Sequence, residues 1–206
     1  MRKVTLLLIS TGAAELLLLG ASILLGLPAP LLAVQILWLN LVTNGIQDVA
    51  LAFEPGEPGV MRLPPRRPAE GVFNRGMVEQ VFIGGVTMGL TCLVAWGALL
   101  NSGLDEAVAR NSLLTLLVLM QFYHVLNCRS EIRSAFRVPL RDNPILMIGM
   151  LVAFAMFVAA TELPLLQGLL RTNPLSIAQW LRLGAIASVA IIVMELYKRV
   201  RSRRQA

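Results

Sequence analysis

The stretch QILWLNLVTNGIQDVALAFEPGEPGVMRLPPRR, residues 35–67, decides the fold of this chain. It begins as an apolar run long enough to cross a membrane, and it ends in a loop rich in Pro, Gly and Arg. The polar side chains in its middle are Asn40, Thr43, Asn44, Gln47 and Asp48. Such groups are costly near the bilayer centre unless they are paired, hydrated or bound to a ligand. The pattern therefore indicates a membrane helix that lines an ion or substrate path.

Asn44 and Gly45 lower the helix propensity in the middle of this predicted membrane segment. Irregular backbone is tolerated at that depth only where it lines a cavity or is buried in protein. We therefore expect an unwound turn there that offers backbone carbonyls to a ligand. The segment as a whole is interpreted as part of a cation site.

The composition places the chain among polytopic membrane proteins. Hydrophobic residues make up 56% and charged residues only 15%, and the mean hydropathy is +0.72. The 18 basic residues exceed the 12 acidic ones, but in a membrane chain this excess points to topology, and no nucleic-acid partner is predicted. Cys92 and Cys128 are interpreted as buried apolar residues without a disulfide. Because His124 is the only histidine, a multi-histidine metal site is excluded.

Six apolar segments are long enough to span a bilayer. The predicted fold class is therefore all-α, a polytopic membrane protein with six transmembrane helices in one domain, residues 1–206. The predicted helices cover about 4–26, 31–53, 77–100, 113–128, 144–160 and 177–197. The sequence LPAP at 27–30 predicts a tight hairpin between the first two, because Pro cannot continue a helix interior.

The basic residues predict the orientation of these helices. If the helices alternate in direction, one side of the membrane holds fifteen basic residues and the other holds two, Arg110 and Arg171, with Arg182 near the interface. The fifteen are Arg2, Lys3, Arg62, Arg66, Arg67, Arg75, Arg129, Arg133, Arg137, Arg141, Lys198, Arg199, Arg201, Arg203 and Arg204. Positive charge favours the cytoplasmic side, so both termini are predicted to be cytoplasmic.

A secretory signal peptide is the alternative interpretation of the N-terminal segment, because Met-Arg-Lys precedes an apolar run. Glu15 at the centre of that run, and a second spanning segment after only a short turn, favour a membrane helix. Glu15 lies about eleven residues into the first helix, and Asn40, Thr43 and Asn44 lie at a matching depth in the second. A Glu satisfied only by hydrogen bonds to a neighbouring helix remains the alternative to a cation ligand.

Four segments together resemble a known family. They are LISTGAAE at 8–15, LWLNLVTNG at 37–45, ALAFEP at 50–55 and MRLPPRRP at 61–68. The first resembles the fifth transmembrane helix of P-type cation-transporting ATPases, the calcium and sodium/potassium pump group. The others resemble the sixth helix and the cytosolic loop after it. The resemblance extends over essentially the whole chain but covers only the last six helices of such a pump.

The resemblance implies which residues bind the cation. A Glu at the position of Glu15 is a ligand in this family, and Asn40, Thr43 and Asn44 match three ligand positions of the calcium-pump pattern. The family commonly has Asn at the position of Gly12 and Asp at that of Asn44, so two bound calcium ions are not expected. A single bound cation, monovalent for example, or proton countertransport fits this charge count at least as well as two calcium ions.

Two further residues complete the predicted metal-binding set, which contains no catalytic residue. Asp48, one helical turn beyond Asn44, is an extra carboxylate that could compensate for the missing Asp. Gln121 falls at a cation-site position of the family's eighth helix. It shares one helix face with His124 and Asn127 through spacings of three. Interhelical hydrogen bonding alone is the alternative for that face.

The parts that a P-type ATPase needs for catalysis do not occur in this sequence. The phosphorylated Asp-Lys-Thr-Gly-Thr segment and the nucleotide and actuator domains are missing, and the two lysines, Lys3 and Lys198, match no nucleotide site. We therefore expect no ATP hydrolysis by this chain alone and no cofactor in it. The transported cation would be Ca2+, Na+, K+ or H+, and ATP and Mg2+ would act only through a partner chain that carries the missing domains.

The remaining expectations concern surroundings and competing functions. The partners are membrane lipid and the catalytic chain, the location is a prokaryotic inner membrane, and the chain would be a split or truncated pump. The Pro-rich basic loop at 54–75 would be a spacer or a contact with anionic lipid, and in the family it lies beneath the phosphorylation domain. A non-catalytic scaffold or regulator derived from a pump is the main alternative. A channel or secondary carrier is weaker, because no internal repeat is found.

Overall fold

The computed structural model describes residues 1–57 and 74–205, and the regular structure of these residues is helical, without strands. The elements are α1 (Arg2–Leu24), α2 (Ala33–Trp38), a π-helical segment (Leu39–Asn44), α3 (Gly45–Ala52), α4 (Arg75–Asn101), α5 (Glu106–Cys128), α6 (Pro144–Glu162), α7 (Pro164–Leu170), α8 (Ile177–Ala187) and α9 (Val189–Gln205). Most of the predicted basic loop lies outside the described residues.

Five helices in the described ranges are long and apolar enough to cross a membrane. They are α1, α4, α5, α6 and the helix formed by α8 and α9 together over Ile177–Ser202. The predicted second span, 31–53, is helical from Ala33 to Ala52, but in three consecutive pieces of which none is long enough by itself. The structure thus establishes an all-helical arrangement of residues 1–57 and 74–205 with five candidate spans.

Side-chain caps define where several helices begin. Asn74 accepts a hydrogen bond from the Met77 amide at the start of α4, and Asp105 accepts one from the Ala107 amide at the start of α5. The predicted fourth helix, 113–128, is therefore too short. Its first two turns mix polar and apolar residues, so hydropathy alone does not reveal them, but the Asp105 cap starts the helix at Glu106.

Helix α5 is the centre of the bundle. It contacts α1, α4, α8 and α9, and its side chains are buried on nearly every face, from Leu113 to Asn127. The surrounding helices instead expose large apolar side chains, as expected for surfaces that face lipid. Examples are Leu16 of α1, Phe82 of α4, Leu151 of α6 and Leu181 of α8.

Hydrogen bonds distinguish the two ends of the bundle. At one end the Arg2 guanidinium forms an ion pair with Glu131, and Lys198 of α9 donates to the carbonyl of Asn127. The N-terminal helix, the end of α5 and the last helix therefore meet there. At the other end the indole of Trp96 donates to the Pro28 carbonyl at 3.1 Å, which fixes the hairpin between α1 and α2.

Two glycines allow α1 and α4 to pack closely. A Cβ at Gly85 would lie 3.0 Å from the Cβ of Ala13, and a Cβ at Gly89 would lie 3.1 Å from the carbonyl oxygen of Ala14 and 3.0 Å from the Cβ of Leu17. The two glycines are four residues apart and hence on one helix face. This is the small-xxx-small arrangement by which membrane helices approach each other.

We expect the Gly89→Ala substitution to destabilise the bundle by about 1–3 kcal/mol, the usual cost of overpacking a tight contact. The added methyl group meets backbone as well as side-chain atoms of α1, so repacking cannot remove the contact. The free energy of unfolding in mixed detergent micelles measures the effect.

Gly97→Ala is the matched control on the same helix, because no atom of the described residues lies within 4 Å of a Cβ at that position. It should leave the unfolding free energy unchanged or raise it slightly, since Ala favours helix over Gly. Equal effects of the two substitutions would show that α1 and α4 are not held together through Gly89.

Candidate functional site

Glu15 is a buried carboxylate in the middle of α1, with 5% of its surface exposed. One of its oxygens accepts a hydrogen bond from the side-chain amide of Asn40 at 2.8 Å. The other lies 3.4 Å from the side-chain amide nitrogen of Gln121 on the central helix α5. Three elements, α1, the π-helical segment and α5, therefore meet at this carboxylate.

Asn44 extends the polar contacts along the π-helical segment. Its side-chain nitrogen lies 3.4 Å from the hydroxyl of Thr11 and 3.5 Å from the side-chain oxygen of Asn40. Glu15, Asn40, Asn44 and Gln121 thus form one connected polar cluster, which we call the Glu15 cluster. Thr11 joins it from α1, four residues before Glu15 and on the same helix face.

Several buried oxygens at and near the Glu15 cluster have no hydrogen-bond partner among the described residues. They are the Thr43 hydroxyl, Asn44 Oδ1, Gln121 Oε1, Gln47 Oε1 and one oxygen of Asp48. A buried polar atom without a partner is unfavourable, and in native proteins it is usually satisfied by water or an ion. Carboxyl, amide and hydroxyl oxygens are the ligands that hard cations prefer.

The predicted site residues occupy different places in this arrangement. Glu15, Asn40, Asn44 and Gln121 belong to the cluster, and Thr43 is buried in the same π-helical segment without joining the hydrogen bonds. Asp48 lies one turn further along α3, is half-buried, and makes no side-chain hydrogen bond among the described residues. It is therefore a separate carboxylate rather than a member of the cluster.

The expectation of an unwound turn at Asn44 and Gly45 is wrong. The backbone stays helical but widens to a π-helix over Leu39–Asn44, and α3 continues directly at Gly45. Asn40 also donates to the carbonyl of Ile36, one of the local contacts by which Asn competes with regular helix geometry. Single π-helical turns often occur at functional sites.

Three neighbouring residues are not among the predicted site residues. Thr11 contacts Asn44, and Ser10 shares a hydrogen bond of 2.6 Å with the Nε2 atom of His124. Gln47 is fully buried, with neither side-chain polar atom bonded among the described residues. Helical spacing could have identified two of them, since Thr11 precedes Glu15 by four residues and Gln47 follows Thr43 by four. Ser10 has no such spacing to a predicted site residue.

The charge at the site is small. Within residues 1–57 and 74–205 there is no group of three or more His, Cys, Asp or Glu side chains that could hold a metal ion. In the Glu15 cluster Glu15 is the only carboxylate, and the remaining oxygens are neutral. Such a set suits one cation of low charge better than two divalent ions, which need more neutralising carboxylates.

A family model described as "Cation transporting ATPase, C-terminus" matches residues 28–200. The "Probable cation-transporting ATPase F" of Mycobacterium tuberculosis (strain ATCC 25618 / H37Rv) is 34% identical over 187 residues, which are 89% of this chain and 20% of that protein. The "Calcium-transporting ATPase" of Bacillus subtilis (strain 168) is 30% identical over 194 residues, 94% of this chain and 22% of that protein. The mouse "Calcium-transporting ATPase type 2C member 2" is 29% identical, with 92% and 20% covered. The chain spans about a fifth of the length of these relatives.

Proposed function

Because this chain belongs to the family of cation-transporting ATPase C-terminal domains, we propose that it supplies half of the cation-binding site of a P-type pump. The observation that carries this proposal is the buried Glu15 carboxylate, which is surrounded by side-chain amides from two other elements. Glu15 would be the anionic ligand. Asn40, Thr43 and Asn44 would provide neutral oxygens beside the π-helical segment, with Gln121 and Asp48 as weaker ligands.

The same residues would change partners when a cation enters. Asn40 and Gln121 now donate amide hydrogens to Glu15 and thereby stabilise its negative charge. Rotation of each amide by half a turn would present its oxygen instead, so the amides could exchange roles with the cation. The unpartnered oxygens of Thr43 and Asn44 would then complete the coordination.

The chain is an integral membrane protein by its family and by the five long apolar helices of its described residues. We propose six crossings, with α2, the π-helical segment and α3 together forming the second. Twenty helical residues, Ala33 to Ala52, reach about 30 Å, the thickness of the hydrocarbon core. Both termini would be cytoplasmic, since the basic ends of α1, α5 and α9 meet at one end of the bundle, and the host membrane would be a prokaryotic inner membrane.

ATP hydrolysis would come from phosphorylation, nucleotide and actuator domains that lie outside these 206 residues, on the same polypeptide or on a partner. The family points to a transported cation, and we propose Ca2+, Na+, K+ or H+. With one carboxylate in the Glu15 cluster, one cation, or a cation exchanged for protons, fits better than two calcium ions.

Introducing a negative charge at position 44 tests this proposal. We expect Asn44→Asp to lower the Ca2+ concentration for half-maximal activation about tenfold, because a second carboxylate beside Glu15 neutralises a divalent ion better. Activation by Na+ should change less. The measurement is cation-dependent ATP hydrolysis by the assembled pump in membrane vesicles.

Asn101→Asp provides the matched control, since Asn101 is exposed at the end of α4 and its side chain makes no hydrogen bond among the described residues. It adds the same charge far from the cluster and should leave activation unchanged. An Asn44→Asp variant with wild-type activation by both ions would argue against a cation at this position.

A further inference from the structure

A polar cavity lies between α9 and the connection from α5 to α6, at the end of the bundle where both chain ends meet. Its volume is about 440 Å³. Arg133 and Arg137 line it from the connection, and Glu195, Lys198 and Arg199 line it from the last helix. The cavity shares no residue with the Glu15 cluster.

The cavity carries an excess of positive charge. Four cationic side chains and one carboxylate line it, which leaves a net charge of about plus three at neutral pH. Arg133 donates to the backbone carbonyl of Arg137. Among the described residues, none of Arg133, Arg137 and Arg199 is paired with an acidic side chain. These guanidinium groups are therefore available to an anion.

Lys198 and Glu195 are buried in the cavity wall, with 3% and 5% of their surfaces exposed. The Lys198 ammonium donates to the carbonyls of Asn127 and Arg133 at 2.8 and 3.2 Å, which leaves one of its three hydrogens. One Glu195 oxygen accepts from the Ala135 amide at 2.6 Å. The other has no partner among the described residues.

These features specify a ligand with two different ends. The cations need an anionic group, whereas the free Glu195 oxygen needs a hydrogen-bond donor and would repel a ligand that offers only negative charge. A phosphodiester that carries hydroxyl groups meets both demands. A zwitterionic headgroup supplies a hydrogen-bond donor but no net negative charge, so it would not neutralise the excess positive charge of the cavity.

The rim of the cavity indicates where this ligand comes from. Ile132, which lines the cavity, is 63% exposed, and Phe136 is 75% exposed beside Arg137. Exposed apolar residues next to basic ones are typical of the membrane interface. We propose that this cavity binds the phosphodiester headgroup of an anionic phospholipid with hydroxyl donors, phosphatidylglycerol in a bacterial membrane. Arg133, Arg137, Lys198 and Arg199 would hold the phosphate, and Glu195 would accept from a hydroxyl group.

Native mass spectrometry of the full protein in detergent tests this proposal with added phosphatidylglycerol, phosphatidic acid and phosphatidylethanolamine. Phosphatidylglycerol should bind most tightly. Arg133→Gln and Arg199→Gln should each weaken it about fivefold, the usual contribution of one basic residue at a membrane surface. Both arginines are exposed, so the substitutions should not disturb the fold. Arg182→Gln, an exposed site near the start of α8, is the matched control and should have no effect.

Glu195→Gln separates the effect of the ligand's hydroxyl donor from the effect of the negative charge on Glu195. The substitution removes the repulsion between Glu195 and the phosphate, so phosphatidic acid should bind this variant nearly as well as phosphatidylglycerol does. Preference of the unchanged protein for phosphatidic acid or phosphatidylethanolamine would overturn the assignment of the headgroup. Displacement of the lipid by millimolar inorganic phosphate would show a site for soluble phosphate instead. Equal losses with Arg182→Gln would show nonspecific attraction to the basic surface and would overturn the site.

Discussion

We expect Glu15→Gln to reduce cation-dependent ATP hydrolysis and transport by the assembled pump about a hundredfold or more. Even a residue that only supports a metal ligand typically contributes about 10- to 100-fold in affinity, and Glu15 is the one carboxylate of its cluster. The amide keeps the size of the side chain and can still meet Asn40 and Gln121, so the fold should survive. A loss of activity would therefore result from the missing negative charge at position 15.

Four measurements make this result interpretable. Membrane abundance and the unfolding midpoint should match those of the unchanged protein. The groups that contact Glu15 are the neutral side-chain amides of Asn40 and Gln121, which can hydrogen-bond to either Glu or Gln at position 15. Raising the cation concentration should restore part of the activity if the substituted amide still offers its one oxygen. Ca2+ concentrations that protect the unchanged protein against proteolysis should no longer protect the Glu15→Gln variant.

Glu162→Gln is the matched control for the loss of a membrane carboxylate. Glu162 ends α6, is exposed, and makes no side-chain hydrogen bond among the described residues. Its substitution should leave transport unchanged. If Glu15→Gln were equally silent, the cation site would have to be withdrawn, and a scaffold or regulator descended from a pump would be the better interpretation of the chain.

Much of the Glu15 cluster follows from the sequence because depth in a membrane is a one-dimensional quantity. Glu15 and Asn40 lie at matching distances from the hairpin at 27–30, and a short turn between antiparallel helices brings equal depths together. The structure joins them by a hydrogen bond of 2.8 Å. Gln121 is predicted by family resemblance, since depth alone does not tell which helix lies beside which.

Other features depend on packing that the local sequence does not encode. The π-helical segment forms where Asn40 contacts both Ile36 and Glu15, and the second of these contacts exists only in the folded bundle. The approach of α1 to α4 rests on Gly85 and Gly89, whereas at other glycines, such as Gly97, an added Cβ would meet no atom of the described residues within 4 Å. Composition identifies the glycines without showing which of them face a neighbouring helix.

Arg129 shows the same limit for a charged residue. The sequence places it among the basic residues of the loop after the fourth helix, where an exposed side chain is expected. In the structure its side chain is 1% exposed and paired with Glu54, which is 3% exposed. The Arg129 Nε atom lies 3.0 Å from both carboxylate oxygens, and the remaining nitrogens donate to the carbonyls of Val138 and Pro139.

This buried ion pair joins three elements below the Glu15 cluster. Glu54 follows α3, Arg129 caps the end of α5, and Asn143 at the start of α6 donates to Glu54 at 2.9 Å and to the Ala50 carbonyl at 3.2 Å. The helix that carries Asn40 and Asn44 is thereby attached at its far end to the central helix.

Removing one partner of this pair should be among the most damaging changes to stability. We expect Arg129→Met to lower the free energy of unfolding by about 3–5 kcal/mol, because Glu54 would remain buried without its cation. Glu54→Gln should cost less, since Asn143 and Arg129 can still bond the amide oxygen. Unfolding in mixed micelles with increasing sodium dodecyl sulfate gives both values.

The double variant Glu54→Leu with Arg129→Met distinguishes a charge effect from lost packing. Apolar residues that replace both partners of a buried pair often cost little, so the double variant should recover most of the stability that Arg129→Met loses. Arg75→Met is the control for an ion pair in water, because the Arg75 side chain is 95% exposed opposite Glu79, and it should have no measurable effect. A double variant as unstable as Arg129→Met would mean that the hydrogen bonds from Arg129 to Val138 and Pro139, rather than its pairing with Glu54, hold α5 to the start of α6.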